Sequence, residues 1–109
     1  MADNVEILMS IIGVELRKAQ AIHKSMRSSH EGYAVIKEEL DELWLEVKVN
    51  PPNNHAIARE AIQTAAMAAR LCLDVLLPPP GRNPETEWVE FLREHQPVTR
   101  LDEGGELKR

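Results

Sequence analysis

Apolar residues recur at three- and four-residue intervals through most of the chain, which is the period of a helix face. In the first such segment, residues 1–28, Leu8, Ile12, Ala19, Ile22 and Met26 form the stripe, and Asp3 with Glu6 has the spacing of a capping box. The second runs from Ser28-Ser29 to about Lys48. Tyr33, Ile36, Leu40, Leu43, Trp44 and Val47 share one face, and Ser28 with Glu31 repeats the start signal. The third, residues 55–77, is broadly small and apolar: Ala58, Ala61, Ile62, Ala65, Ala66, Ala68, Ala69, Cys72, Leu73 and Leu76 cover more than half its circumference. That breadth predicts a central, buried helix. Its narrow remaining stripe, Arg59, Glu60, Gln63, Thr64, Met67, Arg70 and Asp74, is expected to point outward together. The fourth, residues 84–95, puts Trp88, Phe91, Leu92 and His95 on one side.

Helix-breaking residues separate these segments. Pro51-Pro52 stops the second helix, and Asn53-Asn54 can cap the third. Pro78-Pro79-Pro80-Gly81 ends the third sharply, and Asn83-Pro84 starts the fourth. No stretch alternates with the period of a strand, and no repeat is visible. The pattern predicts an all-α fold, a small antiparallel bundle of four helices over residues 1–95, with residues 96–109 as a polar, mobile tail.

Composition narrows the function. A chain of 109 residues makes one domain with a modest core, so completion of the bundle by self-association is expected. A net charge of −5 argues against nucleic acid as the main partner. The one cysteine, Cys72, has no intrachain partner and sits in an apolar run, where it reads as a small core residue rather than a nucleophile. There is no signal-peptide pattern and no apolar run of membrane-spanning length, so a cytoplasmic setting without membrane contact is expected.

The chemistry concentrates in the second helix, where five acids fall within Glu38–Glu46. Glu39 and Glu42 are one turn apart, so their like charges repel. A hard divalent cation such as Mg²⁺ or Mn²⁺ would remove that cost; a solvated acidic face is the other reading. A short loop makes the second and third helices antiparallel, which can bring Glu39 and Glu42 opposite Glu60 and Gln63. Four oxygen ligands on two facing helices suit a divalent cation, and a polar seam or partner-binding face without metal is the alternative. Glu15 interrupts the first stripe. It is expected either to pair with an arginine of a neighbouring helix or to serve a site.

The order Glu38-Glu39-x-x-Glu42, a loop, then Glu60-x-x-Gln63 resembles the MazG-like all-α nucleoside triphosphate pyrophosphohydrolases, whose pattern is E-E-x-x-E followed by E-x-x-D. The stretches from His30 to Glu39 and from Arg59 to Arg70 add to the likeness, which spans about residues 8–77. The resemblance implies a helical bundle stable as a homodimer or homotetramer. It also implies Mg²⁺-dependent cleavage of a (deoxy)nucleoside triphosphate to the monophosphate and pyrophosphate, as in nucleotide-pool cleaning. Carried over, Glu39, Glu42 and Glu60 are metal ligands, Glu38 is a ligand or catalytic neighbour, and Gln63 stands where the family has aspartate. An amide oxygen can ligate Mg²⁺ but brings no charge, so a weaker metal site and a non-catalytic, nucleotide- or partner-binding oligomer form the alternative. Arg59 and Arg70 are expected to contact phosphate or to pair with Glu15 or Asp74. Asp74 and His23 are further candidate substrate contacts.

Overall fold

The computed structural model describes residues 2–77 and 83–94, without the side chain of Pro84. The stop at residues 78–81, His95 and the tail at 96–109 lie outside these residues. The chain is helical, with no strand among the described residues: α1 Asn4–Ile22, α2 Ser29–Val47, α3 Asn54–Leu71, a π-helical turn Cys72–Leu76, and α4 Pro84–Glu94. Two compact units result, Met1–Leu76 and Leu77–Arg109. No helix among the described residues is long and apolar enough to cross a membrane.

Each start signal in the sequence closes as a cap. Asp3 accepts from the Glu6 amide at 2.8 Å, Ser28 Oγ from Glu31 at 3.1 Å and Asn53 from Ala56 at 3.1 Å. Asn83 accepts from Glu85 at 3.0 Å. Each bond satisfies an amide that the first helical turn leaves without an intrahelical partner. On α4, the rings of Trp88 and Phe91 meet edge to face, 5.6 Å apart.

The first helix is shorter than its periodicity predicts. It ends at Ile22, and residues 23–28 form an extended linker although Met26 keeps the helical register. The cause lies at the far end of α3. Arg70 and Asp74 form an ion pair there, Nε to Oδ2 3.2 Å, with side chains only 5% and 6% exposed. Arg70 Nη2 donates to the Lys24 carbonyl, and the Met26 amide donates to Asp74 Oδ2 at 2.9 Å. The pair thus takes two backbone groups that would otherwise need helical partners, and the chain turns there. Met26 is itself buried beneath the turn.

α3 lies between α1 and α2, as expected of a central helix. It is antiparallel to α2: the early residue Gly32 meets Leu71 near the end of α3. On α3, however, the polar stripe turns inward beside part of the alanine face, whose Ala66 is fully buried. Met67 and Arg70 of the polar stripe are buried and Gln63 and Glu60 are half-buried, whereas Ala58, Ala61 and Ala68 of the alanine face are exposed. The polar stripe goes inward because it finds partners there, including Glu15, the Lys24 carbonyl and the Met26 amide. The second helix buries only part of its apolar stripe. It packs on α3 through Gly32, Val35, Ile36, Glu39 and Leu43, and leaves Tyr33, Leu40, Trp44 and Val47 exposed in the single chain. The core is correspondingly small: Ala19, Ala66 and Met67, with Ile12, Leu16, Val35 and Ile36 against it.

Two glycines give opposite expectations. A Cβ on Gly13 would meet nothing within 4 Å, whereas one on Gly32 would lie 2.5 Å from Leu71 Cδ1 and 3.3 Å from Met26 Sδ. Gly13→Ala should therefore stabilise the fold by about 0.5–1 kcal/mol through helix propensity. Gly32→Ala should lose about 1–2 kcal/mol net, because crowding of the α2–α3 contact outweighs that gain. Denaturant unfolding of both variants checks the pair, and a stabilised Gly32→Ala would refute the tight packing.

Candidate metal centre

The antiparallel pairing of α2 and α3 brings three of the sequence-predicted acids together. One carboxylate oxygen each of Glu39, Glu42 and Glu60 lies within 4.8 Å of the others. This is the only such group of three among the described residues. Glu39 and Glu42 come from successive turns of α2, and Glu60 from the facing turn of α3.

The electrostatics show what this proximity costs. The Glu39 carboxyl is held above the ordinary glutamate range, first by loss of hydration and then by the charges of Glu42 and Glu60. Glu60 is raised for the same reasons, with Glu42 its strongest like-charged neighbour and Arg59 acting partly against the shift. Glu42 is coupled to both. An all-oxygen, all-anionic donor set on two rigid helices suits a hard divalent cation in kind and charge, and such an ion would cancel the repulsion.

A cleft of about 400 Å³ opens beside the trio. Glu38, Glu39 and Glu42 line it from α2, Met67 and Arg70 from α3, and His23 and Lys24 from the linker. Of the sequence-predicted site residues, Glu38, His23 and Arg70 thus line the same cleft as Glu39 and Glu42. The guanidinium of Arg70 is turned to Asp74 and the Lys24 carbonyl, so of the two roles foreseen for Arg70 it fills the pairing one. Asp74 is committed to Arg70 and the Met26 amide.

Gln63 and Arg59 lie elsewhere. They line a second cleft of about 280 Å³ with Ile11, Glu15, His55, Ala58 and Ile62. The Gln63 amide donates to Glu15 Oε2 at 2.7 Å, and Lys18 lies 3.3 Å from Glu15 Oε1. A carboxylate only accepts, so the nitrogen end of Gln63 must face it. Glu15 is thus paired with a glutamine and a lysine rather than the expected arginine. These bonds hold its carboxyl below the ordinary range, the one from Gln63 contributing most.

Lys24 was not among the residues singled out in the sequence. The continuous helical period across residues 23–28 hid it, because a lysine inside a helix reads as surface. The usable signal was Ser28: a helix that starts there requires the preceding one to have ended.

No family model, curated protein or solved structure matches this chain.

The raised carboxyls set the sign of a pH effect. Glu39 and Glu60 bind protons more tightly in the folded chain than at the ordinary value of 4.5. Their contribution to stability is therefore best below that value and is lost as pH rises through the raised folded values. If the trio holds a cation, Mg²⁺ should raise Tm, and the shift should fade as the pH falls through the raised carboxyl range, where protons compete for the same oxygens. Glu42→Gln should raise the Tm of the metal-free protein by about 1–3 °C, from relief of about 0.2–0.5 kcal/mol of repulsion, and should abolish the Mg²⁺ shift. An unchanged Tm in both experiments would make the trio a solvated acidic face.

Proposed function

We propose that the chain is a Mg²⁺-dependent nucleoside triphosphate pyrophosphohydrolase, with Mn²⁺ able to replace Mg²⁺, related to the MazG-like enzymes. The observation that carries this reading is the convergence of Glu39, Glu42 and Glu60 at the side of a cleft that also holds Lys24 and His23. A divalent cation supplies charge neutralisation of phosphate oxygens and acidifies water. The three carboxylates would hold it, two from α2 and one from α3. Glu38 lines the cleft outside the trio and would accept the proton from the attacking water. The water oxygen bonds to the α-phosphorus, the bridging bond between the α-phosphorus and the leaving oxygen breaks, and pyrophosphate departs from the monophosphate. Most of the acceleration comes from positioning and fixed charge. The substrate is a (deoxy)nucleoside triphosphate, and the role is nucleotide-pool cleaning in the cytoplasm.

A homodimer or homotetramer is part of this proposal. Among the described residues, no large side chain is fully buried in one chain. Tyr33, Leu40, Trp44 and Val47 recur on one side of α2 and are between 44% and 65% exposed. A contiguous apolar stripe of that kind is the mark of a protein interface.

One observation favours a second reading, a nucleotide- or partner-binding oligomer without turnover. Gln63 pairs with Glu15 across α3, so the cluster has three carboxylates where the family pattern supplies a further acid.

Incubation with each common ribo- and deoxyribonucleoside triphosphate, with Mg²⁺ or Mn²⁺, should yield monophosphate and pyrophosphate in equal amounts. Glu39→Ala should reduce the rate at least about a hundredfold, as loss of a charge-stabilising group does. Binding of a triphosphate without any product would select the second reading. Light scattering should give a mass two or four times 12.3 kDa, falling in Trp44→Glu. A monomeric wild type would remove the oligomer from the proposal.

A further inference from the structure

We propose that Lys24 is the phosphate-gripping residue of the acidic cleft, and that the buried Arg70–Asp74 pair is the device that positions it. The inference rests on the reading of this cleft as a metal–triphosphate site and adds the group that takes the anionic end of the ligand.

The cleft is lined by Glu31, Glu38, Glu39 and Glu42 against His23, Lys24 and Arg70. A triphosphate cannot enter so negative a surface on a single divalent cation alone. The phosphates that the cation leaves uncovered need a protein cation. Arg59 lines the other cleft, and Arg70 is buried with its guanidinium turned to Asp74, the Lys24 carbonyl and Met67 Sδ. His23 ends α1, its backbone amide donating to the Ala19 carbonyl. Lys24 is exposed, and its ammonium has no ion-pair partner among the described residues.

The backbone around Lys24 is held from both sides. Its own carbonyl accepts from Arg70 Nη2, and two residues on, the Met26 amide donates to Asp74 Oδ2. Two long-range bonds to one buried pair thus fix an otherwise extended linker at the cleft wall. The side chain stays free on its flexible stem. An ammonium is a compact charge that can follow a phosphate as the bond to it stretches, without the fixed fork of a guanidinium. Arg70 and Asp74 touch no ligand in this scheme; they act through the position of Lys24.

The test is binding by the full-length protein. Calorimetry with Mn²⁺ alone, with an α,β-methylene nucleoside triphosphate in the presence of Mn²⁺, and with the corresponding nucleoside separates the contributions. Lys24→Met should weaken the triphosphate analogue about tenfold or more, the loss expected of one charge-assisted contact. It should leave nucleoside binding unchanged, leave Mn²⁺ affinity unchanged or slightly raised, and be largely rescued by Lys24→Arg. Unchanged affinity for the analogue, with the wild type binding both ligands, overturns the role of Lys24 and leaves the metal-site reading standing. A wild type that binds neither Mn²⁺ nor the analogue overturns both. In an Asp74→Asn background, the effect of Lys24→Met should shrink towards nothing if the pair works through Lys24. Additive losses in the double variant, or tighter Mn²⁺ binding as the sole consequence of Lys24→Met, would show a rim charge that merely offsets the acids.

Discussion

The buried pair of Arg70 and Asp74 is the constraint from which the site geometry follows. Its two charges lie out of water at the end of α3, where removing either partner would cost about 3–5 kcal/mol. The Arg70 Nε–H is not aimed to make a hydrogen bond, so the ionic contact and the backbone bonds of the linker share the task of compensating the burial. Those backbone bonds end α1 at the right height and start α2 at Ser28. Gly32 then lets the first turn of α2 approach Leu71 closely, which fixes the antiparallel register. That register places Glu39 and Glu42 across from Glu60. The acidic trio thus depends on an ion pair several turns away along α3.

The same register has a consequence for folding. A helix of this length has one face to spend on its neighbour, and α2 spends part of it on Glu39 and Glu46, both half-buried, instead of its best apolar stripe. The central helix likewise turns Gln63, Met67 and Arg70 inward and leaves Ala58, Ala61 and Ala68 outside. Carboxylates on a packed face oppose folding, and apolar stripes left outside gain nothing in the single chain. Both deficits would be relieved in the same way under the proposed function: by a ligand that neutralises the trio and a surface that covers the stripe.

Much of this was legible in the sequence. The helical segments and the caps at Asp3, Ser28 and Asn53 follow from rules of spacing and capping that act within a few residues, and the short loop between α2 and α3 made the meeting of Glu39 and Glu42 with Glu60 a possibility. What misled was the assumption that an apolar face is an inner face. Periodicity reports that a helix has two sides; it does not report which side the same chain covers. Polar residues with specific partners, such as Arg70 with the Lys24 carbonyl or Gln63 with Glu15, can take the inner side. Those partners lie more than forty positions apart in sequence, so no local pattern carries them. At the linker of residues 23–28 the Ser28 cap was a local sign, but the bonds that hold the linker, from Arg70 to the Lys24 carbonyl and from the Met26 amide to Asp74, are again long-range.

Gln63 is the clearest case of a residue whose meaning changes with its partner. Beside the family pattern it looks like a metal ligand that has lost its charge. In the fold its amide points at Glu15 on α1, at 2.7 Å, and that bond is the main cause of the lowered carboxyl of Glu15. An aspartate at position 63 would set two carboxylates against each other there, with Lys18 alone to offset them. Glutamine is therefore the residue that Glu15 requires: it donates where an acid cannot. The two positions form a unit, and converting Gln63 to aspartate by itself would not rebuild a fourth ligand. It would leave Glu15 without its donor, and the cost would fall on the α1–α3 contact before it reached the cluster. What the chain gains at residue 63 is a neutral tie between α1 and α3. In the proposed reading, a cation would be held by Glu39, Glu42 and Glu60 alone.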